Sequence, residues 1–430
     1  MRRVVTSAAV LLATALAVTA CGSKAGISGA SGSSKQIEVL SNFTPDVSRG
    51  KVLQQVIDGF NAQSGSDIKV VSKPSADWPT LQTKIRSMIS AGTAPDVFLY
   101  NYNPNDLSRE KSGKLMDWTS ALDSDPAWKA RFSKANLDAV TVGGQTVGIP
   151  SDQSNVFFYY HKDLFAKAGI TSFPTTWTQF MTDAAKLKAK KVAPLALMTS
   201  DDAWNSMTVL SYLATANGGA NAYAVGRSLD NPAVAKAADT MATLLKSDTT
   251  ADAVGANYSV ATQNFLSGQA AVIADGPWLI SSIQKQANPC EVGVAVGPTN
   301  GDGVAPAGRT VTDSLNVWGA AKQTDDAKAK VEVDFLKYLT SNENAAKMAV
   351  EGQYPLAVKT DTSTAKLTTK PDCQMQQVLD LSNTAPAATV EIGRQVSTAA
   401  QAKLPSLLEG LALGKTTGAE FAQQLQAANK

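Results

Sequence analysis

The sequence predicts an α/β protein of two lobes, each a helix-covered sheet, with a ligand cleft between them. Three observations carry that expectation. From Gln36 onward, short apolar runs alternate with amphipathic helical patterns. The alternation starts a second time near Val147. The chain of 430 residues exceeds what one hydrophobic core usually organises.

The elements follow in order. Arg2 and Arg3 precede a run, residues 4–20, that is apolar or small throughout and ends in Val18-Thr19-Ala20-Cys21. That is a secretory signal in form. Its last four residues resemble a bacterial lipobox, which implies cleavage before Cys21 and a diacylglycerol on its sulfur. An ordinary signal peptide and a retained membrane helix are the alternatives. The stretch GSKAGISGASGSS then lacks the apolar surface to fold and reads as a tether, residues 21–35. No later stretch approaches the roughly 20 apolar residues that span a bilayer.

Residues 37–40, 68–71 and 96–100 read as strands. Between them lie helical patterns at Val52, Val56, Ile57 and Phe60, and at Leu81, Ile85, Met88 and Ile89. This β-α-β-α-β order predicts a largely parallel sheet. In the second set, residues 156–160, 194–198, 271–274 and 315–318 read as strands. Helices are expected over 176–190, 206–216, 232–245, 278–286, 327–339, 342–350, 374–381 and 394–411. A last helix opens at Thr417, with Glu420 completing a capping box. With Cys21 lipidated, Cys290 and Cys373 remain, and an oxidising compartment favours a disulfide between them over two buried thiols.

Composition removes several functions. The 39 basic and 37 acidic residues are interspersed, so no basic patch recruits nucleic acid or an anionic membrane surface. His161 is the only histidine and sits in FYYHKDLF, with no G-x-S-x-G elsewhere to supply a nucleophile. Phosphate-binding glycine loops and calcium loops are missing as well, so no cofactor or metal is expected. A glycosidase needs only two carboxylates, and Asp77, Asp152, Asp201, Asp202 and Asp275 leave that reading open.

In doubly wound sheets, ligands sit beyond the carboxyl ends of the strands. The loops at those ends carry Asn42, Asp77, Trp78, Asp201, Trp204 and Asp275, and Asp313 lies just before the strand expected at 315–318. Flat aromatics suit the CH faces of a sugar, and amides and carboxylates suit its hydroxyls.

The chain resembles the extracellular solute-binding proteins (family 1) of carbohydrate ABC importers, the maltose-binding-protein type. The residues that carry the resemblance are AGTAPDVFLYNY, GGQTVGIPSDQSNVFFYYHKDLFAKAGI with FPTTWTQF, FLSGQAAVIADGPW, and FLKYLTSNENAAKMA with GQYPLAV. Val147 and His161 stand where the family usually has Tyr and Asn. The resemblance implies a type II periplasmic-binding-protein-like fold whose chain crosses between lobes near residues 152–156, 312–316 and Pro371. The lobes would be 36–153 with 316–370, and 154–315 with 371–430, after a signal peptide at 1–20.

Trp278 occupies the position whose aromatic stacks on sugar in the family. Tyr100 follows the P-D-V stretch, with Asn101, Tyr102 and Asn103 as neighbouring contacts. Gln153 and Ser154 lie in the ligand-bonding interlobe segment. The expected function is a lipid-anchored monomer on the outer face of the bacterial membrane, delivering a sugar to ABC permease subunits. An oligosaccharide is favoured by the number of aromatics. A receptor for a glycerophosphodiester or polyamine is the alternative within the same fold.

Overall fold

The computed structural model describes residues 35–75, 78–102, 113–152, 154–224, 226–313, 315–386 and 388–429. Cys21, Asp77, Asn103 and Gln153 lie outside the described residues. The first sheet is built from β1 (Gln36–Ser41), β2 (Lys69–Pro74), β3 (Val97–Tyr102), β6 (Ile149–Pro150) and β12 (Leu315–Ala320), in the order β2-β1-β3-β12-β6. A two-stranded hairpin, β4 (Thr141–Val142) and β5 (Gln145–Thr146), lies beside it in the chain. The second sheet has β7 (Asn155–His161), β8 (Ala193–Leu195), β9 (Ala270–Asp275), β11 (Thr310–Thr312) and β13 (Ala388–Val390), in the order β13-β11-β7-β9-β8. Its remaining strand, β10 (Val292–Ala295), also pairs β7.

The helices follow from their apolar stripes. Helix Ser48–Gln63 buries Val52, Leu53, Val56, Ile57 and Phe60 in the first lobe. Leu81, Ile85 and Ile89 of helix Trp78–Ala91 pack with Phe98, Tyr100 and Tyr102. Helix Trp204–Gly218 is buried all round from Trp204 to Ala216 and forms the centre of the second core. At the C-terminus, Thr417 and Glu420 make the expected capping box.

Several expectations are corrected. The first three strands are parallel as expected, β1 pairing β2 and β3, but the sheet is mixed because β12 runs antiparallel to β3 and β6. In the second sheet β8 pairs β9 and β11 pairs β13 in parallel, while β7 runs antiparallel to β9, β10 and β11. The direction has a topological cause. Strands such as β7 and β12 enter their sheet from the other lobe, and so start at the end where β3 and β9 finish. The expected helix 394–411 is three pieces, Ile392–Arg394, Thr398–Gln401 and Leu404–Ala412. Ser397 caps a new start by accepting the Ala400 N–H, and Pro405 begins another. The expected strand 194–198 stops at Leu195, because the Met198 N–H goes to the Ser206 hydroxyl (3.1 Å). Residues 278–286 form a 3₁₀ turn, Pro277–Leu279, and one short helix, Ile280–Ile283.

Three segments join the lobes: β6 to β7, β11 to β12, and the end of helix Asn342–Val350 to the start of helix Cys373–Thr384. Cys290 and Cys373 are bridged where the third segment arrives, with Cα atoms 5.8 Å apart. Their separation of 83 residues corresponds to a chain-entropy stabilisation of about 4–5 kcal/mol.

The segments are knitted at Asp152. Asp152 pairs in a β-bridge with Leu356. Its Oδ2 accepts from the Ser154 hydroxyl and from Asn316 Nδ2 (3.3 Å). Around it the Ser151 N–H donates to Asn316 O (2.8 Å), the Asp313 N–H to Ser154 O (2.9 Å), and the Ala357 N–H to Ser151 O (3.1 Å).

Burial pushes the Asp152 carboxyl up to about 6, opposed by hydrogen bonds from Ser154, Tyr354 and Asn316 and aided by Asp313. A folded pKa above the unfolded value contributes stability in full below pH ~4, and loses it as pH rises through ~6. The loss is about 3 kcal/mol. Relative to the parent, Asp152→Asn should therefore be least stable at pH 4 and recover most of that amount by pH 7. Chemical unfolding at both pH values checks this; an equal difference at both contradicts it.

Candidate ligand site at the strand ends

The last residue of β9 is Asp275, and the chain turns there through Gly276 and Pro277 into Trp278. The indole folds back over Gly276, where any Cβ would collide with the ring. Trp278 is half-buried and packs on the second core. Trp204 stands beside it, ring centroids 5.4 Å apart and planes 49° from parallel, and Tyr258 lies 6.3 Å from Trp204. Trp204 is only 6% exposed, so it supports Trp278 rather than offering its own face. The loop before Trp204 is bent by two non-glycine residues in the left-handed region, Asp201 (φ 57°) and Ala203 (φ 52°).

An ionic frame flanks the aromatics. Arg394 donates from Nε to Asp313 (2.9 Å) and pairs through a terminal nitrogen with Asp202 (3.1 Å). The Trp204 indole N–H also donates to Asp313. Burial opposes the Arg394 charge, but Asp313 and Asp202 outweigh it and hold the guanidinium firmly protonated. Glu391 lies beneath, its carboxyl pushed up to about 8 by burial despite Arg394 and the Gly393 N–H. Burial likewise drives Asp275 up to about 7 against donors that include the Gly276 N–H and Tyr258.

The structure therefore brings Trp204, Asp275, Trp278 and Asp313 together. It adds Tyr258 and Arg394, which sequence reasoning did not single out, and Asp202, considered there only as a glycosidase acid. Asn257 caps helix Tyr258–Leu266, and that Asn-Tyr-Ser start was a legible signal for Tyr258. Arg394 was hidden as the first residue of a pattern that read as one helix over 394–411.

Other expected contacts lie elsewhere. Tyr100 and Tyr102 are 4% and 5% exposed, because the period-two alternation of β3 turns them with Phe98 onto helix Trp78–Ala91. Asn101 faces the other way; its N–H donates to Gln82 Oε1 (2.8 Å), and it lies opposite Asn316. Ser154 is buried at the interlobe junction. Asp275 is 0% exposed, so no surface of it faces a ligand. Asp201 is exposed in its turn. Asn42 is half-buried just after β1, and its Oδ1 is enclosed without a partner among the described residues. Trp78 is half-buried at the start of its helix.

Two surface cavities, of about 360 and 430 Å³, lie away from these strand ends. One borders the starts of β8 and β9, the other the helices between residues 119 and 139. Among the described residues, no group of three or more His, Cys, Asp or Glu is placed to hold a metal, and no helix is long and apolar enough to cross a membrane.

Comparison with known proteins places this geometry. Residues 44–346 match the family model described as bacterial extracellular solute-binding protein. The multiple sugar-binding protein of Streptococcus mutans is 23% identical over 349 residues, 77% of this chain and 78% of that one. A structure solved for xylan utilization by Caldanaerobius polysaccharolyticus superposes with a TM-score of 0.77 at 22% identity, covering 92% of this chain and 100% of that one. A chitin oligosaccharide binding protein gives 0.75 at 22% identity, with 93% and 98% covered. With its two lobes, three connecting segments and a match across most of its length, the chain belongs to the bacterial extracellular solute-binding protein family.

Proposed function

We propose that the chain captures a neutral sugar between its lobes and delivers it, unchanged, to the permease of an ABC importer. The observation that carries this reading is the half-exposed Trp278 ring beside the Asp202–Arg394–Asp313 frame. A flat apolar face next to charged hydrogen-bonding groups is the complement of a pyranose, which has CH faces and a rim of hydroxyls. The single described cation of the frame is committed to two carboxylates, which leaves it poorly suited to a phosphodiester. A glycosidase is disfavoured by the same burial: Asp152 and Asp275 are enclosed, and Asp202 and Asp313 are held by Arg394.

The sugar is short. With Tyr100, Tyr102 and Trp204 buried, the half-buried aromatics left among the described candidates and their partners are Trp78, Tyr258 and Trp278. That supports one or two stacked rings better than a long oligosaccharide. The lobes proposed to close on it are residues 36–153 with 316–370 and 154–315 with 371–430, and sugar contacts in both shift the population to the closed form. Cys21 carries the lipid that holds the body at the membrane.

Thermal shift against mono- to hexasaccharides of glucose, galactose, xylose and N-acetylglucosamine tests the ligand class. A bound sugar at 100 times its Kd stabilises by about 2.7 kcal/mol. Trp278→Ala should weaken binding at least about tenfold, a loss of ~1.4 kcal/mol. A shift with glycerophosphodiesters or polyamines alone overturns the sugar reading, and consumption of the sugar overturns the receptor reading. For the anchor, detergent phase partitioning should recover the parent in the detergent phase and Cys21→Ser in the aqueous phase. Parent protein in the aqueous phase contradicts lipidation.

A further inference from the structure

Trp278 is held by a directed chain of hydrogen bonds. Its indole N–H donates to Tyr258 Oη at 3.1 Å. The Tyr258 hydroxyl donates to Asp275, 3.0 Å from Oδ2 and 3.3 Å from Oδ1. Asp275 Oδ1 also accepts the Gly276 N–H at 2.7 Å. With Asp275 ionised, the direction follows chemically: an indole nitrogen only donates, a phenol has one hydrogen to pass on, and a carboxylate only accepts. Resting on the reading of Trp278 as the sugar-stacking face, we propose that Asp275 and Tyr258 are positioning residues that fix the plane of the Trp278 ring before any ligand arrives.

The geometry leaves Asp275 no other part in recognition. It is 0% exposed at the end of β9, beneath the ring and not beside the ligand space. Tryptophan χ2 is broad and roughly two-fold, so a half-exposed indole would otherwise sample more than one ring orientation. Three constraints select one: the N–H bond to Tyr258, the tilted Trp204 ring 5.4 Å away, and the bare Cα of Gly276 beneath. A stacking face already in place loses less freedom on binding.

The carboxylate is chemically specified as well. It needs one oxygen toward Gly276 N–H and one toward Tyr258. In Asp275→Asn the same volume would present an NH₂ group to one of them, which either opposes the Gly276 donor or reverses the bond to Tyr258. Asp275→Asn therefore breaks the chain of bonds without opening a cavity.

Indole ¹⁵N–¹H spectroscopy of the ligand-free protein tests this, with the Trp278 signal identified by its loss in Trp278→Phe. In Tyr258→Phe, which keeps the ring and removes the hydroxyl, the Trp278 N–H signal should move upfield. Its exchange with solvent should rise about tenfold, the order expected for losing one hydrogen bond. Asp275→Asn should move the same signal, and the remaining indole signals should stay in place in both variants. An unmoved Trp278 signal in Tyr258→Phe overturns the proposal, and so does a general shift of all indoles, which marks a merely structural role. Titration of the same proteins with xylobiose, maltose and chitobiose separates the two claims. Failure of every sugar to bind the parent defeats the stacking reading while the spectra still decide the chain of bonds. Unchanged affinity in Tyr258→Phe for a sugar that the parent binds also overturns the positioning role.

Discussion

The structure depends on the hydrogen-bonded junction around Asp152. Three chain segments pass between the lobes, and the bonds of Ser151, Asp152 and Ser154 tie them to Asn316 and to the stretch at Leu356–Ala357. The junction sets the direction of every strand that leaves it. β7 and β12 begin there, and so run against β9 and β3, whose carboxyl ends point back to it. Loops from both lobes therefore collect at one place. The cost of that arrangement is a buried carboxylate, whose Oδ2 accepts from Ser154 and Asn316.

Within that place the second lobe supplies the better-defined half of the site. Its aromatic and charged groups are held by one another: Trp204 donates to Asp313, Asp313 accepts from Arg394, and Trp278 donates to Tyr258. The indole nitrogens of both tryptophans are thus occupied by protein acceptors. What they leave open is ring surface, which suits shape and CH groups better than directional polar contacts.

Much of this was legible in the sequence. The Gly-Pro-Trp corner after an apolar run located Trp278 at a strand end, because strand, turn and helix start each have local chemistry. The pairing of Cys290 with Cys373 followed from the compartment implied by the leader, despite 83 intervening residues. Burial was harder to read. β3 is apolar on both faces, so alternation alone does not say whether Tyr100 points to a helix or to the ligand space. Asp275 looked like a loop acid and proved to be sealed beneath Tyr258. Arg394 meets Asp313 from 81 residues away, and no local pattern encodes such a contact. The direction of β12 depended on how the chain crossed between lobes, which periodicity does not record.

Capture of a sugar by closure about the Asp152 junction is the central claim, and small-angle X-ray scattering of the soluble body tests it most directly. With a saturating concentration of the sugar that gives the largest thermal shift, the radius of gyration should fall in the parent. At a sugar concentration near the parent's Kd, the fall should be much smaller in Trp278→Ala than in the parent. A bound sugar that leaves the parent's radius unchanged would contradict closure.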